Sequence, residues 1–136
     1  MEAEPVREHL MGLLRAWDAG RLDETQIRDA AEALERTWAG WEVLDNVSAD
    51  AEPASLRATA EILTTLSDLH LRWVTRTDIP AMLACLETVD TDPTAAQTAW
   101  HAYGESVDWE NRELELRSQP FYARKRRGVT GHVRGR

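Results

Sequence analysis

Helical periodicity dominates the hydrophobic pattern of the chain. Over residues 5–19 apolar side chains recur at steps of three and four, which places them on one face of an α-helix. The same spacing predicts helices over residues 23–40, 53–74, 78–88 and 93–117. No segment shows the period-two alternation of a strand, and no repeat of about 20–50 residues is visible. We therefore predict an all-α protein, an antiparallel bundle of about five helices.

Local signals mark the starts of several of these helices. Asp23 and Gln26 have the spacing of a capping box, in which each side chain binds the other residue's backbone N–H. Asp78 is a good N-cap candidate for the fourth helix, and Asp92 followed by Pro93 is one for the fifth. These signals agree with the helix starts that the periodicity indicates.

Charge divides the chain into two unequal parts. The 136 residues contain 16 basic and 24 acidic side chains, a net charge of −8. Residues 118–136 hold six of the bases and no acid, so residues 1–117 carry −14 and residues 118–136 carry +6. We predict an acidic helical bundle domain over residues 1–117, followed by a basic, Arg-rich and flexible tail over residues 118–136.

The sequence predicts a cytoplasmic location. Its first residues include acids where a signal peptide has bases, and no apolar run reaches the roughly 20 residues that span a bilayer. The single cysteine, Cys85, excludes a disulfide within the chain. Because Cys85 lies between apolar neighbours, we interpret it as a core residue and not as a nucleophile. No catalytic or phosphate-binding motif is present, so we predict neither an enzyme nor a cofactor.

Histidines and acids offer one alternative chemistry, a metal site. His101 and Glu105 are four residues apart on the predicted fifth helix and face the same way. His70 on a neighbouring helix, with Asp68 or Glu61, would complete a set that suits zinc or iron. The Glu-x-x-His pairs typical of metal-binding bundles are absent, and a hydrogen-bonded histidine is the commoner outcome.

Six tryptophans are many for a chain of this length. Four of them lie on the hydrophobic stripes and are predicted core residues: Trp17, Trp38, Trp73 and Trp100. Trp41 and Trp109 lie off the stripes and are candidates for anchors at an interface with a partner. The alternative is that each folds over the rim of the core at a helix end. Acidic residues predicted to face outward near Trp109 extend this candidate surface: Glu105, Asp108, Glu110 and Glu113.

Three functional hypotheses remain open. The first is a small acidic module that binds a basic protein partner and masks it, as bacterial immunity proteins and antitoxins mask nucleases. The second is an adaptor that binds nucleic acid through Arg124, Lys125, Arg126 and Arg127 alone, and the third is a bundle that binds a metal or small ligand. The tail has two candidate targets, the acidic body and a second partner. The oligomeric state stays open.

Overall fold

The computed structural model describes residues 3–45 and 54–122. Seven α-helices lie in these ranges: α1 (Ala3–Asp18), α2 (Glu24–Thr37), α3 (Gly40–Asp45), α4 (Ala54–Ser67), α5 (Ile79–Thr88), α6 (Pro93–Ser106) and α7 (Trp109–Leu116). A 3-10 turn, Arg76–Asp78, leads into α5. No strand occurs in these two ranges, and the helices pack tightly, so the prediction of an all-α bundle is confirmed.

Helix α4 forms the centre of the bundle and contacts five other helices, α1, α2, α3, α5 and α6. Eight of its 14 residues are buried, including Ile62, Leu63 and Leu66. Buried hydroxyls on α4 donate to carbonyls of their own helix, as Thr59 does to Ser55 at 3.0 Å and Thr65 to Glu61 at 2.6 Å. These bonds remove the cost of placing polar groups in the core. No helix within the described residues is long and apolar enough to cross a membrane.

The predicted helix starts at Asp23 and Asp92 are confirmed. Asp23 and Gln26 form the reciprocal capping box, with both N–H to oxygen distances at 2.9 Å. Asp92 accepts a hydrogen bond from the backbone N–H of Ala95 at 3.1 Å, and Pro93 is the first residue of α6. Since each cap satisfies an N–H group that would otherwise lack a partner, these starts are fixed by local sequence.

The predicted helix over residues 53–74 ends early. Helix α4 stops at Ser67, and the chain reaches Trp73 with a φ of 58°, a left-handed conformation that favours glycine. The N–H of Val74 donates to the carbonyl of Leu69 at 3.1 Å and closes the turns that follow α4. Trp73, beyond the end of α4, therefore adopts a backbone conformation that glycine usually supplies.

The predicted helix over residues 93–117 is two helices. Helix α6 ends at Ser106, Val107 is extended, and Asp108 caps α7 by accepting a hydrogen bond from Asn111 N–H at 3.1 Å. The prediction of one continuous helix was wrong because Val107 fits the apolar spacing although its backbone is not helical. The short helix α3 is also additional, since most of its residues lie between the helices predicted over residues 23–40 and 53–74.

Phe121 and Tyr122 pack against the bundle. The side chain of Tyr122 is 3% exposed, its hydroxyl donates to the carbonyl of Val74 at 2.6 Å, and its ring stacks on Trp73. The Phe121 ring lies 5.9 Å from His70, and the Arg28 guanidinium lies 5.4 Å from the Phe121 ring centre. The six bases of the predicted tail all lie within residues 123–136, which are outside the described residues.

The turn between α2 and α3 requires a glycine. The Trp38 indole is 5% exposed and folds across Gly40, and a Cβ atom added at Gly40 would lie 2.3 Å from Trp38 Cζ2. The edge of one ring meets the face of the other between Trp38 and Trp41, whose centroids are 4.9 Å apart. A side chain at position 40 would therefore displace this aromatic pair.

We expect Gly40→Ala to lower the free energy of unfolding by about 1–3 kcal/mol, because a buried ring must move to admit the methyl group. Gly12→Ala is the matched control: a Cβ at Gly12 meets no atom within 4 Å, and alanine favours the helix by up to about 1 kcal/mol. Denaturant unfolding of both variants measures the difference. Equal stability of the two variants would contradict the close packing at Gly40.

Candidate functional site

A cleft of about 470 Å³ opens beside α6. Its lining comes from α4, the segment that joins α4 to α5, α6 and the first residue of α7. Three aromatic side chains line it, Trp100, Tyr103 and Trp109, together with the buried Asp78 and Val74. The volume falls within the range of about 300–1,000 Å³ that is common for ligand sites. This cleft is the candidate functional site.

The aromatic side chains of the cleft are fixed by α6. Trp100 and Tyr103 are three residues apart on this helix, and their rings are nearly parallel, with an interplanar angle of 18° and centroids 5.9 Å apart. The indole N–H of Trp109 donates to the carbonyl of Gly104 at 2.8 Å, and the guanidinium of Arg112 lies 5.0 Å from its ring centre. The rings are thus held in place before any ligand arrives.

A buried carboxylate, Asp78, also lines the cleft and is 1% exposed. Arg112 binds it with two nitrogens, Nη1 to Oδ2 at 2.6 Å and Nη2 to Oδ1 at 3.1 Å. The backbone N–H of Thr75 donates to Oδ2 at 2.9 Å, and the hydroxyl of Tyr103 donates to Oδ1. Arg112 also donates to the carbonyl of Trp73 at 3.0 Å. Four hydrogen bonds therefore compensate for the burial of this charge.

Burial and the carboxylate of Asp78 together shift the pKa values of Tyr103 and Arg112. Burial raises the pKa of Tyr103, and the hydrogen bond to Asp78 raises it further. Burial opposes the charge of Arg112, but its hydrogen bonds to Asp78 outweigh this effect and raise the pKa of the guanidinium. Tyr103 therefore stays a neutral donor and Arg112 stays charged at neutral pH.

The predicted metal ligands are not brought together. His101 Nε2 lies 2.8 Å from Glu61 Oε1 on α4, and Gln97 donates to the other oxygen of Glu61 at 3.1 Å. His70 faces Phe121 instead. Among the described residues no group of three His, Cys, Asp or Glu side chains could hold a metal ion. The structure therefore does not bring His70, His101 and Glu105 together, and His101 has a hydrogen-bonding partner on α4 instead.

The two tryptophans proposed as interface anchors are held by their own chain. The Trp41 indole is half-buried, packs on Trp38 and donates to the carbonyl of Glu35 at 2.7 Å. Trp109 is also half-buried and binds Gly104, as described above. Trp41 matches the alternative of a residue folded over the rim of the core, whereas Trp109 lines the cleft.

The predicted acidic surface has a mixed outcome. Glu105, Asp108 and Glu110 are exposed, and Glu105 lines the cleft. Glu113 is half-buried and pairs with Arg117 at 3.5 Å. Asp108 has a structural role as well, since its side chain caps α7.

The proposed nucleic-acid contacts, Arg124, Lys125, Arg126 and Arg127, lie outside the described residues and stay predictions.

Cys85 is buried in the core, as the sequence predicted. Burial and then the charge of Glu61 raise the pKa of its thiol to about 11. Because the thiolate is the reactive form, a thiol that stays protonated at neutral pH is a poor nucleophile.

The Asp78 and Arg112 pair is the feature that sequence reasoning missed. Asp78 was assigned only as the N-cap of α5, yet its side chain makes no capping bond to that helix. Its partner lies 34 residues away. Helical spacing indicates neighbours within three or four residues, so no local pattern could reveal this contact.

We expect Asp78→Ala to destabilise the fold by about 3–5 kcal/mol, because Arg112 would keep a largely buried charge without its carboxylate. Arg117→Ala is the control, since the Arg117 pair with Glu113 is half-exposed and such pairs contribute no more than about 1 kcal/mol. Denaturant unfolding compares the two. A loss below about 1 kcal/mol for Asp78→Ala would contradict the stabilising role of the buried pair.

Both tyrosines of the chain should resist ionisation in the folded state. Burial raises the pKa of Tyr122 as well as that of Tyr103. In the unfolded chain both groups ionise near pH 10. Their contribution to stability is therefore complete below about pH 10 and is lost as the pH rises through the folded-state pKa values.

The ultraviolet absorbance of tyrosinate, followed against pH, measures this difference. We expect little signal at about pH 10 in the native protein and half of the full signal there in concentrated guanidinium chloride. Tyr103→Phe isolates the contribution of Tyr122. Tyrosinate formation near pH 10 without loss of helical circular dichroism would refute the expected shifts.

Comparison of the chain with protein-family models, with curated proteins and with solved structures found no match. Geometry and charge alone therefore carry the functional inference.

Proposed function

We propose that this chain is a protein-binding module that masks a basic partner, in the way that immunity proteins and antitoxins do. The proposed surface is the α6–α7 corner, which we define as Glu105, Asp108, Glu110, Leu114 and Glu115. One observation carries the proposal: the exposed carboxylates of this corner form no ion pair with any residue that the structure describes, whereas the nearby arginines do.

The two arginines near the corner already have acidic partners. Arg112 binds the buried Asp78, and Arg117 binds Glu113. The exposed carboxylates of Glu105, Asp108, Glu110 and Glu115 form no ion pair with any residue that the structure describes. The negative charge of these four carboxylates is therefore available to an external cation.

Helix α7 turns an acidic face outward. Its inner residues, Trp109, Arg112, Glu113 and Leu116, are buried or half-buried, whereas Glu110, Asn111, Leu114 and Glu115 are exposed. Leu114 is 60% exposed, the largest exposure of a large hydrophobic side chain in the described residues. An apolar contact among carboxylates combines a desolvated centre with a charged rim, which is the usual arrangement of protein interfaces.

The charge of the whole domain favours the same class of partner. A net charge of −14 over residues 1–117 attracts a basic protein at long range and accelerates its association at low salt. The same field repels nucleic acid. A surface of spaced carboxylates offers a phosphate-binding partner an imitation of its usual ligand, which supports masking as the mode of action.

The test compares a corner variant with a control variant on α2, and each of them lacks three negative charges. Glu105→Gln, Asp108→Asn and Glu110→Gln together neutralise the corner, and asparagine still caps α7 at position 108. Both variants and the unmodified protein are immobilised and exposed to lysate of the source organism. Each retained protein is then purified, and its dissociation constant is measured at low and raised ionic strength.

We expect a basic partner that binds the unmodified protein, weakens as salt increases and binds the corner variant at least about tenfold less tightly. The matched control is Asp29→Asn, Glu32→Gln and Glu35→Gln on α2, which changes the net charge equally. If both variants weaken the binding of the partner equally, or if the partner binds both as tightly as the unmodified protein, the assignment to the corner is refuted. Circular dichroism confirms that each variant is folded.

A further inference from the structure

The cleft beside α6 joins the α6–α7 corner, because Glu105 and Trp109 line it and belong to that end of α6 and the start of α7. We propose that this cleft binds a guanidinium group. Under the proposed function the group is an arginine side chain of the basic partner, so in that form the inference rests on the proposed function. A free guanidinium compound has the same chemistry and is the other source that the test separates.

The charges around the cleft favour a cation. Arg72 lines the cleft and pairs with Asp68 at 3.7 Å, and His101 lines it and pairs with Glu61 at 2.8 Å. Arg112 pairs with Asp78, which lines the cleft. Every basic side chain around the cleft thus has its own carboxylate among the described residues.

Glu105 is the exception among the acids of the cleft. Its side chain is exposed, and its carboxylate makes no ion pair or hydrogen bond with any other described residue. An anionic ligand would meet this unpaired carboxylate and the negative field of the domain. A cationic ligand would neutralise both, and its affinity would gain from a charge-assisted hydrogen bond.

The aromatic lining favours guanidinium over ammonium. Trp100 and Tyr103 present nearly parallel rings, with an interplanar angle of 18°, and a planar guanidinium stacks on aromatic faces of this kind. The chain already contains one contact of this kind, with Arg112 lying 5.0 Å from the Trp109 ring centre. An ammonium group lacks the flat face that this arrangement uses.

The size of the cleft accommodates more than the cationic group. At about 470 Å³ it can also take the aliphatic stem of an arginine and part of the neighbouring backbone. Burial of that stem against Trp100 and Val74 would add apolar contact to the ionic one. An arginine presented by a protein surface satisfies both requirements at once.

The test uses N-acetyl-arginine amide as the probe and N-acetyl-citrulline amide as its neutral analogue of nearly equal shape. Titration of each into the full chain is followed by the NMR signals of the indole N–H groups, assigned with Trp100→Phe and Trp109→Phe. We expect the arginine probe to shift the signals of Trp100 and Trp109 with saturation, and the citrulline probe to leave them unchanged. Equal responses to the two probes would refute a guanidinium site.

Glu105→Gln tests directly whether the Glu105 carboxylate binds the guanidinium group, since glutamine keeps the size of the side chain and removes its charge. We expect the dissociation constant for the arginine probe to rise about tenfold or more. Glu32→Gln on α2 is the control and should leave the dissociation constant unchanged, because Glu32 lies outside the cleft. An unchanged dissociation constant in Glu105→Gln would overturn the assignment.

Competition separates the two sources and the two proposals. If the arginine probe shifts the cleft signals and displaces the basic partner, an arginine of the partner occupies the cleft. If it shifts them without displacing the partner, the ligand is a free guanidinium compound. If a partner binds the corner with salt dependence while the probe does not bind, the guanidinium site is refuted and the proposed function stands.

Discussion

The arrangement of this protein depends on the burial of one carboxylate. Asp78 is almost inaccessible to water, and a buried charge is tolerated only where hydrogen bonds and an opposite charge replace its hydration. Thr75, Tyr103 and Arg112 meet this demand from three separate segments, the turn before α5, helix α6 and helix α7. The position of α7 relative to the rest of the bundle follows from the place where Arg112 must lie.

The cleft and the charge of the surface are consequences of the same ion pair. With Arg112 directed inward, the chain turns between Ser106 and Trp109, and the Trp109 ring closes one side of the cleft. The inward direction of Arg112 also removes a positive charge from the exterior of α7. The outer face of that helix is left with carboxylates and one exposed leucine, Leu114. A stabilising interaction in the interior thereby determines the electrostatic character of the exterior.

Sequence reasoning succeeded where the cause of a feature lies within a few residues. Apolar spacing predicted the helices, and the boxes and caps at Asp23 and Asp92 marked their starts correctly. Prediction from the sequence was wrong where contacts between distant residues accompany a break in a helix. Val107 and Trp73 fit the helical stripes, yet neither continues a helix. Near these breaks Arg112 donates to the carbonyl of Trp73, and Tyr122 donates to the carbonyl of Val74. The spacing of His101 and Glu105 was consistent with a shared ligand, yet a side chain of α4 binds His101.

Trp73 shows how narrow the mutational tolerance of one position can become. Its backbone, with a φ of 58°, is the conformation for which glycine is the least costly residue. Its ring stacks on Tyr122 at a centroid distance of 6.0 Å, which no glycine can do. An aromatic replacement keeps the stacking and the strain, whereas glycine relieves the strain and loses the stacking. No single residue satisfies both requirements, so replacing Trp73 by glycine exchanges one cost for the other.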